Sequence, residues 1–328
     1  MSTASTEISK SKQKRHVRLH QPGVLYHVLS KTIRGEFLLT PKKGIAELCA
    51  GVVAQAQSNW PTVKLYGFAF LSNHLHLQLE ASTYYDMSYF VGFIKREISR
   101  RLGKKYDLPG TFWDGRFEST ALPTPESQEG CLAYILSQGV KENLVGHPCN
   151  WPGLHCAKAL LDGESLPGRW FNATEYKIAE RNQERSKKST KIHKRDYYDE
   201  LTITLTPIPA WENLTQHQRQ QRANELVKVI VKDASNKRKE TGSKVLGKKR
   251  VIQMPIFTRV LPPKPPWWKE RRRQLTAWAK LTDRLTKQYI ALYWGFQKEF
   301  RNASYCLKKN RPAHFPEGSW IPAHPCPT

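Results

Sequence analysis

The hydrophobic and polar positions of the first half of the chain alternate between strand and helix periods. Val24-Leu-Tyr-His-Val-Leu-Ser-Lys-Thr32 predicts a strand, and Gly44 to Asn59 a helix with Ile45, Leu48, Cys49, Val52 and Val53 on one stripe. Val63 to Asn73 and His74 to Ser82 predict a pair of strands with the turn near Ser72-Asn73. Tyr85 to Tyr106 predicts an amphipathic helix, because Met87, Phe90, Val91, Ile94 and Ile98 recur at intervals of three and four. Its other face carries Lys95, Arg96, Arg100, Arg101, Lys104 and Lys105. Arg116 to Leu122 predicts a further strand. Thr124-Pro125-Glu126 then opens a last helix, with a capping hydroxyl, proline at the first helical position and an early acid, running to about Leu144. The order is β-α-β-β-α-β-α. It predicts an α+β, ferredoxin-like antiparallel sheet with helices on one face. That outline names no function.

The second half has no comparable rhythm. Lys187 to Arg195 and Lys237 to Arg250 read as basic loops or linkers, and two helices are expected, Thr215 to about Ser235 and Trp267 to about Ser304. The aromatics of the second (Trp268, Trp278, Tyr289, Tyr293, Trp294) fit packing or base stacking. Charge divides the chain the same way. Of the 53 Lys and Arg, 34 lie in residues 165–328 against 14 of the 28 Asp and Glu, so +20 of the net +25 sits there. The expected division is a basic arm over residues 1–20, a folded domain over 21–160 and a basic, helical or irregular extension over 161–328.

A positive field of that size favours nucleic acid as partner, with an anionic membrane surface as the other candidate. No apolar run approaches the ~18 residues of a membrane span, and the first seven residues hold no signal-peptide core. A soluble, cytoplasmic protein is expected. The six cysteines are scattered and read as reduced thiols. His147, Cys149, His155 and Cys156 raise a zinc site, but their spacing matches no common knuckle.

Leu71-Ser-Asn-His-Leu-His-Leu-Gln-Leu-Glu80 holds the candidate chemistry. Strand alternation puts His74, His76, Gln78 and Glu80 on one face and Leu75, Leu77 and Leu79 on the other. Two imidazoles one strand repeat apart can share a cation. The polar face of a half-buried strand also carries histidines without any ligand, so the pattern alone leaves both readings open. In the last helix Tyr134 and Gln138 are neighbours one turn apart, nearly opposite the stripe of Leu132, Ile135, Leu136 and Val140. Such a tyrosine is either simply exposed or a nucleophile with a coordinating neighbour.

Taken together, His74-Leu-His76 on a strand and Tyr134-Ile-Leu-Ser-Gln138 on a later helix resemble the HUH single-tyrosine transposases of bacterial insertion sequences. Gly110-Thr-Phe-Trp-Asp-Gly-Arg-Phe-Glu-Ser119, followed by Tyr134 to Lys141, is most similar to the REP-associated tyrosine transposases. That group usually reads Asn-Pro where this chain reads Gln138-Gly139, whereas the insertion-sequence enzymes carry Gln there. The resemblance spans roughly residues 20 to 155. It implies that His74, His76 and Gln138 bind Mg²⁺ or Mn²⁺, and that Tyr134 attacks single-stranded or hairpin DNA to leave a covalent 5′-phosphotyrosine. A nucleoid-associated enzyme of DNA transposition, monomeric or homodimeric, would follow. Lys95, Arg96, Arg100, Arg101 and Arg116 are the candidate DNA contacts, Arg116 being equally suited to an ion pair with Asp114 or Glu118. The alternative is a non-catalytic regulator that keeps the fold to bind hairpin DNA or RNA.

Overall fold

The computed structural model describes residues 17–186, 192–258 and 284–319. The first seven elements follow the order read from the pattern: β1 (Leu25–Lys31), α1 (Ile45–Asn59), β2 (Lys64–Phe70), β3 (His74–Glu80), α2 (Tyr84–Tyr106), β4 (Glu118–Leu122) and α3 (Pro125–Leu136). The four strands form one antiparallel sheet in the order β2-β3-β1-β4, so β3 and β1 are central. The β2–β3 turn is Ser72-Asn73, closed by the Leu71 amide donating to the His74 carbonyl at 2.8 Å.

Alternation along β3 divides the molecule into layers. Leu75, Leu77 and Leu79 are fully buried and enter one hydrophobic cluster with Val52 and Val53 of α1 and Met87, Phe90, Ile94 and Ile98 of α2. The opposite face is covered too, contrary to the expectation of helices on one side only. There α3 packs over the polar residues, and the Gln78 amide donates to the Gln128 carbonyl at 3.0 Å. That bond satisfies the buried Gln78 amide nitrogen, while its Oε1 makes no hydrogen bond among the described residues.

The α3 helix begins as the sequence predicts. Thr124 and Ser127 form a reciprocal capping box with Pro125 in the first turn. It ends at Leu136, eight residues before the expected Leu144. Gly139, at φ +80°, turns the chain out of the helix, and the amides of Leu144 and Val145 both donate to its carbonyl.

The extension contributes more regular structure than its charge runs predicted. It adds α4 (Ala157–Asp162), β5 (Leu166–Phe171), α5 (Ala173–Ser186), β6 (Tyr198–Ile203), α6 (Gln216–Thr241), α7 (Lys248–Gln253) and α8 (Arg284–Lys308). β5 and β6, joined through α5, form a two-stranded antiparallel sheet laid on α1, so that α1 lies between it and the four-stranded sheet. The approach is close: a Cβ on Gly168 would stand 2.5 Å from the Ala54 methyl and 2.9 Å from the Ala50 carbonyl oxygen. The basic run from Lys237 is helical as far as Thr241, where Gly242 in the left-handed region ends α6, and it resumes as α7. Arg238 and Lys239 in the last turn of α6 are placed favourably against the helix dipole. α6 is tied to α3 by an Arg222–Glu129 ion pair of 2.8 Å. In α8 Tyr289, Tyr293 and Phe296 are buried, and the Tyr293 hydroxyl donates to the Val17 carbonyl at 3.0 Å, so these aromatics are packing groups. Trp294 of the same helix is 46% exposed. Trp268, Trp278, the start of the second expected helix and the arm up to residue 16 lie outside the described residues. Among the described residues no helix is long and apolar enough to cross a membrane.

Candidate active site

Three pieces of chain meet on the polar face of the sheet. His74 and His76 come from β3, with ring centroids 4.8 Å apart and planes nearly perpendicular. Tyr134 comes from the last turn of α3, its half-buried ring standing edge-on to His76 at 5.4 Å. Gln138 comes from the turn that follows, 1% exposed, and donates its amide to the Tyr134 carbonyl at 3.0 Å.

Each imidazole is held through one nitrogen. His74 Nδ1 is 2.6 Å from the Asn73 side-chain oxygen, and His76 Nδ1 is 2.9 Å from Nε2 of His27. Gln138 lies within interaction range of both rings. Even so, His76 Nε2 and Gln138 Oε1 are buried and make no hydrogen bond of sound geometry. A buried polar atom without a partner costs roughly 1–3 kcal/mol. Two of them on neighbouring side chains, both with lone pairs, are an arrangement a cation would relieve.

Burial sets the protonation of the site. It pushes the His74 and His27 imidazoles down to about 4, aided by the nearby Lys141 ammonium, and it pushes His76 well below the usual histidine value, aided by His74, His27 and Lys141. All three are neutral at pH 7, the form that can ligate a metal. Lys141 Nζ lies 3.6 Å from the centroid of the Tyr134 ring, so the tyrosine sits against a positive charge as well as the imidazoles. Among the described residues no three His, Cys, Asp or Glu side chains gather as a metal site; the Gln138 amide is an uncharged donor within interaction range of both histidines.

Residues 22–138 match the model of the family described as Transposase IS200 like. This part of the chain, 117 of its 328 residues, is similar to that family. The matched span begins ahead of β1 and closes at Gln138, so it contains the histidine pair, Tyr134 and the amide. No curated protein matches the chain. Among solved structures, a REP-associated tyrosine transposase bound to a REP hairpin is similar at 16% identity and a TM-score of 0.37, covering 44% of this chain and 82% of that one. A suspected transposase from Deinococcus radiodurans is similar at 16% identity and a TM-score of 0.27, covering 39% of this chain and 97% of that one. At those scores neither comparison adds to the fold described above.

The matched region brings together the four residues singled out for chemistry, His74, His76, Tyr134 and Gln138. It does not bring the expected DNA contacts of α2 to them, because α2 packs on the leucine face. There Lys95 donates to the Gly115 carbonyl at 2.8 Å, Arg96 and Arg100 pair with Glu97, and Arg101 is built in. Its guanidinium pairs with Glu97 at 3.4 Å, lies 4.0 Å from the Trp170 ring centroid and donates to the Phe171 carbonyl. Arg101 so anchors β5. A cavity of about 580 Å³ opens beside it, where Lys177 and Arg181 of α5 join Arg100 and Arg101 around Glu97. Arg116 is exposed and, among the described residues, forms no ion pair; Glu118 pairs with Lys31 instead.

Sequence reasoning missed His27 and Lys141. The available signal for His27 was a lone histidine inside an otherwise apolar strand, Leu25-Tyr-His-Val28. The zinc candidates do not assemble. His155 accepts from the Ala157 amide through Nδ1 and bonds the Ile135 carbonyl through Nε2, and His147 caps the Cys149 amide.

Proposed function

We propose that this chain cuts and rejoins single-stranded DNA through a covalent bond to Tyr134, with His74, His76 and Gln138 holding Mg²⁺ or Mn²⁺. The observation that carries the reading is the pair of unsatisfied buried atoms, His76 Nε2 and Gln138 Oε1, beside the Tyr134 ring. Two neutral imidazoles and one amide add no negative charge, so a bound divalent cation keeps its full charge to polarise and orient a phosphodiester. Nitrogen donors suit Mn²⁺ better than the harder Mg²⁺.

The remaining work falls to the chain's own groups. The Tyr134 oxygen forms a bond to phosphorus while the bond to the 3′ oxygen breaks, and the phenolic proton is balanced by the proton gained on the released 3′-OH. The 5′-phosphotyrosine stores the bond energy, so an incoming 3′-OH can reverse the step and rejoin strands. The Lys141 ammonium adds attraction for the phosphate beside the Tyr134 ring. His27 and His76, both edge-on to Tyr134 from the same side, limit how far its ring can swing toward them, which serves alignment. Arg96, Arg100 and Arg116, with the basic extension, supply phosphate contacts that position DNA without reading its bases. Transposition is the process the family match supports, and hairpin DNA is the substrate we assign.

The test is incubation of the full chain with end-labelled single-stranded hairpin DNA and Mn²⁺, followed by denaturing electrophoresis. A covalent adduct is expected from the wild type, and none from Tyr134→Phe or in EDTA. Equal adduct from Tyr134→Phe refutes the assignment.

A further inference from the structure

His27 belongs to β1, yet its side chain is the closest partner of a residue in β3. Its Nε2 lies 2.9 Å from His76 Nδ1, the rings are stacked with centroids 5.1 Å apart and 18° between planes, and both residues are at most 5% exposed. We propose that His27 is a positioning residue for cation binding: it fixes the tautomer and angle of His76 so that Nε2, and not Nδ1, faces the cation. This rests on the cation reading above.

Three observations support it. First, a hydrogen bond between two imidazoles needs one N–H and one lone pair. With Nδ1–H of His76 donating to Nε2 of His27, the lone pair left on His76 is at Nε2, the atom that makes no hydrogen bond of sound geometry. Second, His74 shows the same division of labour, since its Nδ1 is taken by the Asn73 side-chain oxygen. Both candidate ligands are thus held from behind through Nδ1, as metal-binding histidines are held by outer partners. Third, His27 cannot itself be the third ligand through Nε2, because that nitrogen is spent on His76. The tyrosine feels the same arrangement, since the His27 ring also stands edge-on to Tyr134 at 5.9 Å.

The test titrates the full chain with Mn²⁺ alone and follows the free-ion signal by electron paramagnetic resonance, for wild type, His27→Phe, His27→Gln and His74→Ala. Phe keeps the ring and the packing but offers no acceptor. Gln offers an acceptor oxygen at similar reach. We expect one Mn²⁺ per wild-type chain, affinity reduced roughly 10- to 100-fold in His27→Phe, and His27→Gln within a few-fold of wild type. In the adduct assay the His27→Phe defect should shrink at saturating Mn²⁺, raising the Mn²⁺ requirement more than it lowers the maximal rate. Wild-type affinity in His27→Phe overturns the proposal, as does equal loss in the Gln variant, which would mark a merely structural role. If His74→Ala weakens binding while His27→Phe does not, the cation reading stands and this inference falls. Wild-type chain that binds no Mn²⁺ sinks both.

Discussion

Gly51 offers a test in which the sign of the effect, and not only its size, is decided by the structure. It lies in the middle of α1, where replacing glycine by alanine ordinarily stabilises a helix by about 1 kcal/mol, because alanine loses less backbone entropy. Here the position faces β5. A Cβ on Gly51 would overlap the Arg169 carbonyl oxygen and stand 2.7 Å from its carbon, against a normal carbon–carbon contact of about 3.5–4 Å. The obstacle is strand backbone, so no side-chain rotation relieves it. β5 would have to withdraw by about an ångström, and overpacking of this kind costs about 1–3 kcal/mol. Backbone against backbone lies at the upper end of that range, which leaves Gly51→Ala a net destabilisation of about 2 kcal/mol. Gly92 in α2 is the control, since a Cβ there meets nothing within 4 Å and its Ala variant should gain up to about 1 kcal/mol. Urea unfolding followed by circular dichroism measures both, and amide hydrogen exchange in β5 and β6 should accelerate in Gly51→Ala alone. A Gly51→Ala protein as stable as Gly92→Ala would refute the docking of the two-stranded sheet on α1.

Two further outcomes follow from the site and its surroundings. Burial holds the His155 imidazole down to about 4, so the unfolded chain takes up a proton near pH 6.5 that the folded chain refuses; stability is complete above about pH 6.5 and falls as pH drops toward 4, by roughly 3 kcal/mol for this residue. Urea midpoints between pH 4 and 7.5 should therefore slope less steeply in His155→Gln, and an unchanged slope would count against that burial. Gly139→Ala forces a left-handed φ of +80° on a residue whose Cβ would meet the Trp151 ring at 3.0 Å, costing about 1–2 kcal/mol and displacing Gln138. Mn²⁺ titration should show weaker binding than in Tyr134→Phe, and equal binding in the two would detach the turn from the cation site.

What could be read from the sequence, and what could not, divides along the range of the interactions. The strand with His74 and His76 and the helix with Tyr134 were legible because their periods are local, and the capping signal at Thr124 is local as well. The end of α3 was not, because Val140 continues the apolar stripe and only the left-handed turn at Gly139, packed on Trp151, shows the chain leaving the helix. β5 escaped notice for a related reason. Leu166-Pro-Gly-Arg-Trp-Phe171 carries the Pro and Gly that mark a loop, yet the same glycine lets the strand lie against Ala50 and Ala54. His27 is the most instructive case, because its meaning depends on register. β1 pairs with β3 so that His27 stands opposite Gln78 and Leu29 opposite His76, which places His27 and His76 as diagonal neighbours on one face. A slip of one residue would turn His27 toward the leucines and leave His76 Nδ1 without its partner. The register is fixed in turn by the apolar face, where Tyr26, Val28 and Ser30 stand opposite Leu79, Leu77 and Leu75. The packing of the core on one side of the sheet therefore sets the geometry of the histidines on the other.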